Sequence, residues 1–130
     1  MQDLKNNIKV SAALNIAAIT SNTTINGNSV DLLGYNGATF VISSGARTDG
    51  TFTPLIVDSD DNSIFAAVDD KFLIGLEADA AISAANTLKK IGYVGSKRYV
   101  QLRIVSTSVT SGATLGASAI LSHPNTAPVA

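Results

Sequence analysis

The sequence predicts an all-β fold, a single-domain β-sandwich of jelly-roll type with extended N- and C-terminal arms. Three observations lead there. Short runs rich in Val, Ile, Thr and Phe recur along the chain, Gly, Asn, Asp and Ser punctuate them at short intervals, and a single Ala-rich stretch has helix-like composition. At 130 residues the chain fits one domain, able to bury roughly two-thirds of its unfolded surface. An immunoglobulin-type sandwich is the second choice, without the buried Trp and Cys pair usual there.

The first strand is expected over residues 14–20. Lys5 and Lys9 ahead of an apolar stretch imitate a signal peptide, but Asn15 interrupts that stretch and no small-x-small cleavage pattern follows, so a strand is the better reading. A turn at Asn26-Gly27-Asn28 leads to a strand over 29–33. Gly34-Tyr35-Asn36-Gly37 then turns into a strand over 38–44, where Ala38, Phe40 and Ile42 alternate with Thr39, Val41 and Ser43. Thr48-Asp49-Gly50 predicts a hairpin, because Asp-Gly accepts the positive φ of a tight reversal. In the following strand, 51–57, Pro54 lacks a ladder donor and points to a sheet edge or a bulge.

Residues 58–63 reverse the chain into a strand over 64–68, and Asp69-Asp70 turns it into another over 71–76. Residues 77–90 are Ala-rich, acidic at the start and basic at the end, which suits a short helix as well as an extended crossover. After a turn at Gly92-Tyr93-Val94-Gly95 comes the clearest strand, 98–106, and after Ser111-Gly112 the last one, 114–121. Residues 1–7 and 123–130 are expected to be arms, the latter holding Pro124 and Pro128.

Only 15% of the residues are charged, against about 25% in an ordinary soluble domain, whereas Ser, Thr and Asn together supply 36 residues. The net charge of −1 leaves no basic footprint for nucleic acid. The charge-free stretches 10–30 and 104–130 are broken by polar residues and make no membrane span. Without Cys there is no disulfide, thiolate or Cys-based metal site, and a lone His forms no metal-binding pair. A near-neutral, charge-poor exterior favours association, since charge is depleted in the cores of protein interfaces.

Residues suited to chemistry are few. Asp58, Asp60 and Asn62 resemble the opening of a calcium loop, but Ser63 stands where that loop needs Gly and Asp69 where it needs Glu. The two Gly-Tyr-x-Gly segments lack the Lys-Ser/Thr of a phosphate loop and suit tight corners, and their repetition is expected to mark two similar halves. His123 would be the one base for a hydrolase, and no Gly-x-Ser-x-Gly elbow accompanies it. The expectation is a non-enzymatic protein with no metal or cofactor.

Alternation in 97–105 places Val100, Leu102 and Ile104 on one face and Lys97, Tyr99, Gln101 and Arg103 on the other. That second set, with Tyr35, Tyr93, Pro124 and Pro128, is the candidate protein interface. Tyr and Arg are enriched among interface hot spots.

The layout resembles the small cement, or decoration, proteins of tailed-bacteriophage capsids. The resemblance spans the chain and is carried by a leading segment over 14–24, Val30-Asp31-Leu32-Leu33-Gly34-Tyr35, Thr48-Asp49-Gly50, the block Ile91-Gly92-Tyr93-Val94-Gly95-Ser96-Lys97-Arg98-Tyr99-Val100, and the Pro-containing end. It implies a jelly-roll-like virion protein on the capsid exterior, made in the host cytoplasm and bound between copies of the major capsid protein. It also implies self-association as a dimer or trimer, and no direct contact with nucleic acid or membrane. The competing expectation is a carbohydrate- or receptor-binding β-sandwich.

Overall fold

The computed structural model describes residues 5–124, with side chains to residue 122. Among the described residues nine strands form: β1 Lys9–Ile19, β2 Thr24–Asp31, β3 Tyr35–Arg47, β4 Thr51–Ser59, β5 Ala66–Ala67, β6 Leu73–Ile74, β7 Leu88–Tyr93, β8 Tyr99–Thr107 and β9 Ala113–Pro124. They assemble into a five-stranded sheet, β1-β9-β3-β7-β6, and a four-stranded sheet, β2-β8-β4-β5.

The pairing is nested about the β4–β5 connection: β4 pairs with β5, β3 with β7, β2 with β8 and β1 with β9, all antiparallel. A long hairpin rolled up in this way is a jelly roll, the predicted fold. Alternating side chains of both sheets fill the space between them. Phe40 and Ile42 of β3, Ile91 and Tyr93 of β7 and Leu115 and Leu121 of β9 meet Phe52 and Ile56 of β4 and Val100, Leu102 and Ile104 of β8, none more than 2% exposed.

Several local expectations change. The first strand starts earlier, at Lys9, and β2 absorbs the expected Asn26-Gly27-Asn28 turn as a bulge between Asn26 and Ser29. Gly27 lies so close to β1 and β8 that a Cβ would run into the carbonyl oxygens of Ala13 and Leu102. Asp49-Gly50 does adopt the positive φ, +95° at Gly50, yet makes no hairpin: β3 and β4 belong to opposite sheets, and the turn is the corner between them. Pro54 faces the open side of β4, where β5 reaches only Val57 and Asp58.

The expected strands over 64–68 and 71–76 shrink to β5 and β6, the latter behind a 3-10 turn, Asp70–Phe72. Residues 77–87 form no helix beyond a 3-10 turn, Ala78–Ala80. Tertiary contacts override composition there: Ile82 exchanges backbone hydrogen bonds with Phe52, the Glu77 carboxylate accepts from Ile56 N–H at 2.7 Å, and Ser44 Oγ bonds Ala84 and Thr87. The segment thus covers the exposed edge of β4.

Residues 88–93, whose end was expected as a turn, are strand β7. The two Gly-Tyr-x-Gly segments are not equivalent halves, since one opens β3 and the other closes its neighbour β7. Of the expected arms, Lys5–Asn7 is a 3-10 turn and residues 123 and 124 end β9, while 1–4 and 125–130 lie outside the described residues.

Candidate interaction surfaces

The outer face of the four-stranded sheet carries Tyr99, Gln101 and Arg103, as alternation predicted, but not as a free docking ladder. Arg103 Nε donates to Gln101 Oε1 at 2.8 Å, and its guanidinium lies 5.9 Å from the Phe65 ring. Gln101 Nε2 donates to the Gly27 carbonyl at 2.9 Å. The loop between β4 and β5 reaches across, with Asn62 hydrogen-bonded to Ser29 on the far strand β2. Val57, which shares the outer face with Gln101, is only 2% exposed. Lys97 precedes β8 and pairs with Asp60 at 2.6 Å rather than joining the ladder.

The acidic turn after β4 is likewise consumed. Asp58 accepts from the Tyr93 hydroxyl, Asp60 pairs with Lys97, and Asp61 caps Ser63 and Ile64. The Ile64 and Ser63 N–H groups and the Ser59 hydroxyl hold Asp61 below its usual pKa. Among the described residues no group of three His, Cys, Asp or Glu side chains is arranged to hold a metal ion.

One end of the sandwich brings together part of the sequence-predicted interface. Tyr35, Tyr93 and Lys97 line a cleft of about 370 Å³ with Leu33, Gly34 and Arg98. Tyr93 is not the surface residue expected of it: it is 2% exposed, and its hydroxyl accepts the Lys97 N–H. Arg98 makes a bidentate pair with Asp31, both bonds 2.9 Å, which lowers the Asp31 pKa and raises that of Arg98. The backbone of Pro124 pairs with Tyr35 at this end, and Pro128 lies outside the described residues.

The outer face of the five-stranded sheet was missed by the sequence reading, and nothing among the described residues covers it. Its register lines up three rows: Val10, Ile120, Thr39, Gly92 and Ile74; Ala12, Ser118, Val41 and Lys90; and Ile16, Gly116, Ser43 and Leu88. Isoleucines from the two flanking strands lie over the glycines, since a Cβ on Gly92 would meet Ile74 at 3.1 Å and one on Gly116 would meet Ile16 at 2.6 Å. Ile16 is 80% exposed, Leu88 71%, Ile74 65% and Val10 61%, and Lys90 is the one charge in the rows. A signal existed in β1, where Val10, Ala12 and Ile16 make the outward side as apolar as Leu14 and Ile19 make the inward one.

No helix among the described residues is long and apolar enough to cross a membrane. No family model matches the chain, and no curated protein does. Several solved structures share its fold. The PBSX exported protein XepA aligns with a TM-score of 0.59 at 19% identity over 97% of this chain, which spans 40% of the length of XepA. The SPBc2 prophage-derived protein YomS aligns with a TM-score of 0.51 at 14% identity, over 89% of this chain and 93% of its own. At these identities the likeness is one of fold: this chain shares its fold with two proteins, one of them named as prophage-derived.

Proposed function

We propose that this chain is a non-enzymatic structural protein of a phage virion, a cement or decoration protein that binds the outside of the capsid between major capsid proteins. The observation that carries the reading is how the side chains are spent. Asp31, Asp49, Asp58, Asp60, Asp61 and Glu77 bond to strands, loops and cations of the same molecule, while nine large apolar side chains among the described residues stay exposed. Such an exterior suits burial against protein rather than work on a substrate. The prophage-derived name of YomS, a protein with this fold, supports a phage origin.

A protein that binds only the geometry of the expanded shell stabilises that geometry by mass action, and many symmetry-related copies turn a modest contact into a firm clamp. The cleft end is the shell-facing surface in this reading, with the 68% exposed Leu33 at its rim and the end of β9, at Pro124, paired with Tyr35.

The test mixes the purified chain with expanded shells that lack it and measures co-sedimentation and resistance to heat. Binding is expected, weakened at least about tenfold by Leu33→Asp. The absence of binding would overturn the reading in favour of the sugar- or receptor-binding module, for which the cleft beside Tyr35 is the specific support.

A further inference from the structure

Both sheets have edges and outer faces at which a second chain could add, and three of these places are closed. The β4 edge is blocked by Pro54, the Ile82 bridge and the Glu77 carboxylate. The β1 edge is broken by two register shifts, and Asn28 of β2 donates to its Ala12 carbonyl at 3.1 Å. The four-stranded sheet is crossed by its own β4–β5 loop. Among the described residues the outer face of the five-stranded sheet has no such cover.

We propose that this face is occupied by a second copy of the chain, in a two-fold, face-to-face dimer. Size is the first argument. Five strands about 4.8 Å apart, by about nine residues rising about 3.3 Å each, present roughly 700 Å², close to the about 800 Å² per partner of a standard stable interface.

Self-complementarity is the second. A two-fold axis running along the strands between β9 and β3 lays β1 of one copy over β7 of the other and preserves the rows. Ile16 then faces the second copy's Leu88, so the two most exposed side chains of the rows cover each other. Val10 meets the surface that Ile74 forms over Gly92, and small residues, Gly116 and Ser43, meet at the centre.

Charge is the third. Lys90 of each copy faces Ala12, with the two ammonium groups at opposite flanks, where each stem lies on apolar surface and each head reaches water. The placement needs no shell and goes beyond the capsid reading, which stands or falls separately.

Sedimentation equilibrium of the full chain over two decades of concentration provides the test. A dimer is expected, with Ile16→Glu and Leu88→Lys each raising the dissociation constant at least about tenfold. Both positions are exposed, so the β circular dichroism of either variant should be unchanged. The double variant Ile16→Glu/Leu88→Lys should dimerise again, because the axis sets each new acid against a new base. A monomer throughout, a dimer indifferent to both single changes, or a double variant that stays apart overturns the proposal.

Discussion

The Tyr93 hydroxyl donates to Asp58 Oδ2 at 2.8 Å, joining β7 of one sheet to β4 of the other at the end of the sandwich that holds the cleft. The same oxygen accepts the Lys97 N–H at 3.2 Å and so fixes the loop before β8. Burial, with the carboxylate second, pushes the phenol's pKa well above its ordinary 10.0, so the proton that makes the bond stays in place. Tyr93→Phe keeps the ring in the core and removes both bonds. The expected loss is about 2 kcal/mol in urea unfolding, as for hydrogen bonds to a charged partner.

At the opposite end, Asp49 ties two corners together, its carboxylate accepting from Thr110, Ser111 and Gly112 at 2.9 to 3.1 Å. Those N–H groups, Thr110 foremost, hold its pKa below 3.8. The folded state therefore binds this proton less readily than the unfolded chain. The resulting stability is complete above that value and drains away as pH falls through the depressed one. Asp49→Asn is expected to melt earlier than the parent at neutral pH, with the gap closing in acid. Thermal melts across that range check it.

Glu77 has the opposite sign. Burial raises its pKa above 4.5, partly offset by the Ile56 N–H it accepts. Its effect favours the fold most when it is protonated, and that advantage declines as pH rises through the raised value. Glu77→Gln retains an oxygen acceptor without a charge, and at pH 7 its stability should equal or exceed the parent's. Glu77→Ala strands the Ile56 N–H and should cost about 1 kcal/mol. Chemical denaturation of the pair separates the two effects.

Gly27→Ala should be the most damaging small change. A methyl group there has no room between the Ala13 and Leu102 carbonyls, and both belong to strand backbone that cannot rotate away. A loss of about 3 kcal/mol, or failure to accumulate as folded protein, is expected. Circular dichroism and denaturant melts report it.

Strand β8 shows how much was legible locally. Val100, Leu102 and Ile104 alternate with polar neighbours, and all three are fully buried where period two puts them. Pro54 announced an open strand side by lacking an N–H, a property that belongs to the residue itself. Tyr93 shows the limit: its Gly-Tyr-x-Gly setting reads as a corner, but its fate depends on Asp58, 35 residues away.

By itself the sequence determined the fold class, the inward faces of the strongest strands and the scarcity of exterior charge. These follow from residue chemistry and from a side-chain period counted along a few neighbours. Tertiary structure alone decided which strands pair, that Asp49-Gly50 crosses between sheets, that the Ala-rich stretch lies along β4, and which outer face the described residues leave uncovered. Each depends on partners tens of residues apart, and hydrogen bonds to such partners outweigh the weak preferences of short segments.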